Sequence, residues 1–143
     1  MKYALHRHAI LRVVAKILIP YILLFALYVQ FHGDFSPGGG FQAGVIFATG
    51  IILYTLIFGL DRAFQTFSPR MFEIFLALGV CIYGGVGLVA MLSGGHYLDY
   101  GALSHDPVHG QHLGILLVEL GVGLTVTSAM VSIFFAFLNR GRL

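Results

Sequence analysis

Charged residues are scarce in this sequence, which has eight Lys and Arg and six Asp and Glu among its 143 residues. They make up 10% of the chain, whereas about a quarter of an ordinary soluble domain is charged. So few charges cannot cover the core with water-facing side chains, which excludes an ordinary soluble enzyme. Tryptophan is absent, and the one cysteine, Cys81, lies inside an apolar run. A disulfide framework and a multi-cysteine metal site are therefore excluded as well.

Apolar residues are abundant instead, at 58% of the chain, with a mean hydropathy of +0.90. Four runs are nearly free of charge and approach or exceed the roughly 20 residues that a helical crossing needs: 13–31, 41–60, 72–92 and 112–138. A β-barrel would need alternating strands, and runs such as Val45-Ile46-Phe47-Ala48 do not alternate. The sequence therefore predicts an all-α integral membrane protein, with residues 1–143 forming one domain of four transmembrane helices.

The basic residues indicate how the chain is oriented. All eight fall in three places: Lys2, Arg7, Arg12 and Lys16; Arg62 and Arg70; Arg140 and Arg142. Four crossings place these clusters on one face, and the positive-inside rule makes that face cytoplasmic. We therefore expect both termini in the cytoplasm and the protein in the cell (inner) membrane. The formal net charge of +2 is too small to indicate a nucleic-acid partner.

Small residues recur at helix-packing spacing in two of the predicted spans. The second span carries Gly40, Gly44 and Ala48, and the third carries Ala77, Cys81 and Gly85. Such stripes let neighbouring helix backbones approach closely in a membrane. We expect close helix partners, many of them from other chains.

The connection between the first two spans reads GDFSPGGGFQAG at residues 33–44. Pro37 fits the first position of a helix, and the glycines allow tight turning at the membrane surface. The segment is neither a P-loop nor a dinucleotide fingerprint, because no Lys-Ser or Lys-Thr follows it and no strand precedes it. We therefore interpret the glycines as a packing hinge.

This segment, at the outer end of the second span in a four-span chain of this length, resembles the MrpB subunit of the Mrp-type (multiple resistance and pH) sodium/proton antiporters. The resemblance is carried by Gly33, Pro37, Gly38, Gly39, Gly40, Phe41 and Gly44. It is sharp over residues 33–59 and rests on hydropathy elsewhere. It implies a non-redox transporter subunit, not an enzyme, that joins other subunits of a hetero-oligomeric complex moving Na⁺ and H⁺.

From the resemblance we expect the subunit to support assembly, with the lining of an ion path as a further hypothesis and no cofactor. Two alternatives stay open. One is the corresponding subunit of a complex I-related membrane-bound oxidoreductase or hydrogenase, and the other is a structural scaffold without an ion path.

Glu119 is the strongest candidate for ion or proton movement. A charge at membrane depth costs about 2.5 to 3.5 kcal/mol on insertion scales, so an acid there is a functional candidate. Glu119 lies seven residues into the predicted last span, about 10 Å below the outer surface at 1.5 Å per residue. Thr125 offers a further oxygen along the same helix, as do Thr127, Ser128 and Ser132. The structural alternative is a hydrogen-bonded Glu that ties this helix to a partner.

Two other charged residues are secondary candidates. Lys16 lies about one turn into the first span, and we interpret it chiefly as an anchor that reaches the cytoplasmic surface. Asp34, beside His32, is a candidate for an outer mouth that attracts cations.

The outer loop contains His96, Asp99, His105, Asp106, His109 and His112. Three of these histidines follow an i, i+4, i+7 spacing, but Pro107 interrupts the helix that would place them on one face. We therefore expect a solvated loop rather than a zinc site, and no bound metal.

Overall fold

The computed structural model is an array of helices; it describes residues 2–33 and 38–140, with side chains from residue 9 onward. These ranges hold five α-helices, one short 3₁₀-helix and no strand. The helices are α1 (Lys2–Phe31), α2 (Gly40–Phe58), α3 (Leu60–Thr66), α4 (Pro69–Leu92), the 3₁₀-helix (Tyr100–Leu103) and α5 (Pro107–Arg140). Four of them are long and apolar enough to cross a membrane. The predicted all-α architecture with four spans is confirmed.

The ends of the helices differ from the predicted spans. α2 begins at Gly40, one residue before the predicted span of 41–60, and ends at Phe58, before Gly59, whose φ of +91° favours glycine. The short α3 follows where a plain loop was expected. α5 begins five residues before the predicted span, because Asp106 caps it: its Oδ1 accepts a hydrogen bond from Val108 N at 3.0 Å.

The long helices pack in the order α1, α2, α5, α4, since α1 packs on α2, α2 on α5 and α4 on α5. Because α1 packs on α2, α2 on α5 and α4 on α5, the α1–α2 and α4–α5 connections lie at the same end of the array, which we call the loop end. The start of α1, the end of α5 and α3 lie at the opposite, terminal end. This arrangement matches the geometry of four crossings, while the assignment of the terminal end to the cytoplasm stays a prediction.

An aromatic core holds the terminal end together. Phe72 of α4 and Phe135 of α5 are buried, with ring centroids 5.8 Å apart in an edge-on arrangement. Phe64 of α3 packs edge-on against Phe135 at 5.1 Å. Edge-to-face aromatic pairs stabilise a contact beyond the area that they bury. This aromatic contact holds the short α3 against α5 at the terminal end of the array.

Small residues carry the contact between α2 and α5, as the first predicted stripe requires. Ala48 is fully buried, and a Cβ built on Gly44 would lie 2.9 Å from Gly123 O. Thr127 Oγ1 donates a hydrogen bond to Gly44 O at 3.1 Å across the same contact. Because glycine has no side chain, the two backbones come close enough for this interhelical bond.

The second predicted stripe carries no contact within the described part of this chain, and its packing against another chain stays a prediction. Ala77 and Cys81 are not buried, and a Cβ on Gly85 would meet nothing within 4 Å. α4 packs on α5 through Gly79 instead, where a Cβ would lie 2.5 Å from Gly121 O. The spacing was correct for a helix face, but the buried face is a different one.

Two tyrosines fasten the α4–α5 connection to the helices. The Tyr97 ring occupies the space that a Cβ on Gly87 would need, and the Tyr100 ring does the same at Gly114. Burial, with smaller contributions from Tyr83 and Tyr97, raises the pKa of Tyr100 above its ordinary value of 10.0. The connection is therefore a packed element and not only the solvated loop that was expected.

Candidate functional site

Glu119 lies on α5 at the point where this helix crosses the start of α2. A Cβ on Gly40 would lie 2.8 Å from the carbonyl carbon of Glu119 and 2.9 Å from its Cα. The two helices are thus in direct backbone contact there, and glycine at position 40 is a condition of that contact. The contact fixes Glu119 beside the α1–α2 connection at the loop end.

The carboxylate of Glu119 is surrounded by glycine backbone. A Cβ on Gly33 or on Gly39 would overlap its oxygens, and the Cβ on Gly39 would stand 2.9 Å from its Cδ. Any larger residue at these positions would have to displace the carboxylate. The glycines of the motif therefore create the space that the acid occupies.

The resulting recess has a volume of about 370 Å³. Its described lining consists of Gly33, Gly38, Gly39, Gly40, Phe41, Gln42, Val118, Glu119 and Val122. The only acidic side chain in this lining is half-buried Glu119. A carboxyl group can hold a proton or a small cation, and the glycine backbone around it leaves room for either.

Local backbone geometry keeps the recess open. Gly38 has a φ of +148°, which L side chains rarely adopt. Gly39 is the N-cap of α2, and its N–H donates to Gln42 Oε1 at 3.1 Å. The Gln42 side chain thus holds the turn that leads into α2 and also lines the recess.

The structure brings most of the predicted motif to Glu119. Gly33, Gly38, Gly39, Gly40 and Phe41 line the recess. Gly44 lies one turn further along α2, against Gly123. Pro37 and Asp34 lie outside the described residues.

Thr125 lies on a different face of α5, six residues or about 240° around the helix from Glu119. Its hydroxyl donates to Gly121 O at 2.8 Å. A Cβ on Gly79 of α4 would overlap this hydroxyl. The structure therefore places Thr125 in the α4–α5 contact and does not bring it to the recess.

Lys16 lies near the other end of the array. Gly50 of α2 packs against Ile22 and Leu23 of α1, so Lys16, about two turns earlier, is level with the last turn of α2. Glu119 is level with the first turn of α2, which separates the two residues by about 25 Å along the helices. The Lys16 side chain is exposed.

The histidines of the α4–α5 connection do not gather. His96 and His105 lie before α5, while His109 and His112 lie in its first two turns, and none of the four is buried. Within residues 9–33 and 38–140, no group of three His, Cys, Asp or Glu side chains has a geometry that could hold a metal ion.

Sequence reasoning missed one relationship and one residue. It treated the glycine segment and Glu119 separately, although α2 and α5 run in the same direction and both begin at the loop end. It also passed over Gln30, which is 6% exposed with its amide nitrogen unpartnered among the described residues. The sequence signal that could have identified Gln30 was its polar amide side chain near the end of an otherwise apolar span.

The fold and the site together define a helical membrane protein with four candidate spans and a recess that holds the carboxylate of Glu119. A family model described as "Domain related to MnhB subunit of Na+/H+ antiporter" matches residues 10–132. The chain belongs to this family of antiporter subunits, which confirms the resemblance to the MrpB subunit of the Mrp-type antiporters. It is thus a component of a transporter complex rather than an enzyme.

Individual relatives match over nearly their whole length. The "Putative antiporter subunit mnhB2" of Staphylococcus aureus (strain Newman) is 32% identical over 136 residues, which cover 93% of this chain and 95% of the relative. The protein of the same name from Staphylococcus haemolyticus (strain JCSC1435) is 35% identical over 130 residues, covering 89% of this chain and 92% of the relative. The similarity therefore extends well beyond the glycine motif.

Proposed function

We propose that Glu119 exchanges protons or Na⁺ during antiport, so that this subunit contributes directly to ion movement in its complex. The observation that supports the proposal is the recess itself, in which glycine backbone replaces side chains around one carboxylate. The recess, of about 370 Å³, leaves room beside the carboxyl group for a small cation.

The chemistry of the recess suits both ions. A carboxyl group takes up or releases a proton as its surroundings change. When it is ionised, it is an oxygen ligand of the kind that hard cations prefer. The Gln42 side chain lines the same recess, with its amide oxygen accepting the hydrogen bond from Gly39 N. One group thus serves alternately for H⁺ and for a small cation.

The remaining candidates take secondary places in this proposal. Exposed Lys16 anchors α1 at the cytoplasmic surface of the inner membrane. Asp34 attracts cations at the outer surface. Thr125 stabilises the α4–α5 contact through which α5 keeps Glu119 in place, and it offers an oxygen to the ion path only if its bond to Gly121 opens.

A scaffold role is the second candidate, and the backbone contact between Gly40 and Glu119 favours it. In that case the carboxyl group would serve only to hold α2 and α5 together. Glutamine has the same shape and hydrogen-bonding capacity but does not titrate, so substitution by glutamine separates the two roles.

The test is Na⁺/H⁺ exchange in everted membrane vesicles that contain the complete complex, followed by the collapse of a pH gradient on addition of Na⁺. Glu119→Gln is expected to lower the initial rate on the order of a hundredfold, the low end of what a positioned acid–base group contributes. Glu119→Asp is expected to retain part of the activity with a shifted pH dependence.

The matched control is Glu73→Gln, which makes the same chemical change at an exposed position in the first turns of α4. It should leave exchange unchanged. The amount of assembled complex is measured first in every variant, because an unpaired polar group in a membrane can impair assembly by itself. Wild-type exchange across the pH range by a fully assembled Glu119→Gln complex would overturn the proposal and leave the scaffold role.

A further inference from the structure

A second cavity, also of about 370 Å³, shares no lining residue with the Glu119 recess. Its floor is formed by α2 and α5, and its walls are formed by α1 and α4, which pack on α2 and α5 respectively. Every lining residue except Phe67 belongs to a helix that is long and apolar enough to cross a membrane. We call this cavity the Gln30 groove, after the glutamine at its α1 wall.

Two buried polar side chains line the Gln30 groove and lack hydrogen-bond partners within the described part of the chain. Gln30 is 6% exposed and Ser128 is 1% exposed, and the unpartnered atoms are Gln30 Nε2 and Ser128 Oγ. Thr55 and Thr125 show what a helical hydroxyl usually does, since each donates to the carbonyl four residues earlier. Ser128 makes no such bond, so its hydroxyl remains available to something outside this chain.

Apart from these two residues and Thr127, whose hydroxyl donates to Gly44 O, the side chains of the groove are apolar, with aromatic residues such as Phe47, Phe72 and Phe75. Water is disfavoured as the filling of the whole groove, because each buried water needs two to four polar partners and the aromatic walls offer none. A lipid acyl chain would fill the space but carries no acceptor for Gln30 Nε2. A transmembrane helix brings both apolar side chains and acceptors.

We infer that the Gln30 groove receives a transmembrane helix from another subunit of the antiporter complex. This helix presents apolar side chains to the aromatic walls and hydrogen-bond acceptors, which are carboxylate, amide or hydroxyl oxygens, to Gln30 Nε2 and to Ser128 Oγ. The inference rests on the membership of this chain in an antiporter-subunit family and is independent of what Glu119 does.

The direct test places a photoreactive benzoylphenylalanine at position 75 in the assembled complex and identifies the adduct by mass spectrometry. The expected adduct is a peptide from a membrane-spanning segment of another subunit that carries an acceptor side chain. A lipid adduct, or an adduct only with this chain, would overturn the inference. Position 27, on the opposite wall of the groove, is labelled as well, so that a failure of assembly at one position does not decide the outcome.

The hydrogen bond is tested by Gln30→Met, which keeps the length of the side chain and removes the donor. Loss of one interhelical hydrogen bond should reduce retention of the partner subunit during detergent purification by about threefold. Gln65→Met makes the same change at an exposed site on α3 and should have no effect. Equal retention in both variants would refute the proposed bond.

This outcome is distinguishable from that of the proposed function. Glu119→Gln should preserve the cross-link at position 75 while it lowers exchange. Gln30→Met should weaken subunit retention while the complexes that remain intact still exchange ions.

Discussion

Gly39 lies so close to Glu119 that a single methyl group on its Cα would overlap the carboxylate. The two residues are 80 positions apart in the sequence and come from the two helices that share the central contact of the array. The glycine motif is therefore more than a turn at the membrane surface, because it shapes the surroundings of Glu119.

The first prediction follows from this overlap. Gly39→Ala should displace the Glu119 carboxylate and lower Na⁺/H⁺ exchange, although alanine is compatible with the φ of −150° at this position. Because both substitutions act on the same carboxylate, Gly39→Ala combined with Glu119→Gln should be no worse than Glu119→Gln alone. Initial exchange rates of the two single variants and the double variant measure this coupling.

Gly84→Ala is the control for that experiment, since a Cβ on Gly84 would meet nothing within 4 Å. It should exchange ions at the wild-type rate. Independent, multiplicative effects of Gly39→Ala and Glu119→Gln would show that the two residues act separately, contrary to the geometry.

The second prediction concerns the contact between α4 and α5. Gly79→Ala would bring a Cβ within 2.5 Å of Gly121 O, so the two helices would have to separate. Overpacking of this kind costs about 1 to 3 kcal/mol, and the midpoint of thermal unfolding of the purified complex should fall. Gly85→Ala, where a Cβ has open space, should leave the midpoint unchanged or raise it, since alanine favours a helix over glycine by up to about 1 kcal/mol. A midpoint unaffected by Gly79→Ala would contradict the observed packing.

The third prediction is the orientation of the chain. Reporter tags at either terminus and at Gln65 should be detected in the cytoplasm, and a tag near Leu103 should be detected outside, because the basic residues all lie in the two terminal segments and the connection between the second and third spans. Accessibility of the tags in intact cells and in everted vesicles measures this directly. An externally accessible C-terminus would contradict four crossings with the terminal end inside.

The fourth prediction concerns pH and the α4–α5 connection. The pKa of Tyr100 is raised by burial, so the folded state holds this proton more tightly than the unfolded state. The stability that this provides is present below about pH 10 and declines as the pH rises through the folded pKa. The thermal midpoint should therefore fall as the pH rises above about 10, and Tyr100→Phe, which cannot ionise, should reduce that fall. An identical decline in both proteins would exclude Tyr100 as the cause.

Much of the architecture was predictable from local sequence. The four spans follow from uninterrupted apolar runs, because a helix is the structure that satisfies its own backbone in lipid. Placement of the described basic residues near one end of the array follows from their positions between these runs. The stripe of Gly40, Gly44 and Ala48 indicated a contact face correctly, because its partner α5 also offers a small residue, Gly123, at the same level.

The stripe of Ala77, Cys81 and Gly85 could not be assigned in the same way. A spacing of four residues identifies one face of a helix but not whether that face meets another helix of the same chain, and here the face with Gly79 is the one that packs. The depth of Glu119 was likewise estimated from its distance along one helix, whereas its surroundings depend on how α2 lies against α5.

The sequence by itself determined a four-helix membrane subunit with a glycine-rich entry to its second span and an acid in its last span. Hydropathy, charge and backbone preference are properties of short segments, so they are readable without a partner segment. Only the tertiary structure decided that Gly33, Gly39 and Gly40 surround Glu119, and that Gln30 and Ser128 line a second groove. Both arrangements depend on the relative position of helices far apart in the chain, which packing fixes and no local pattern encodes.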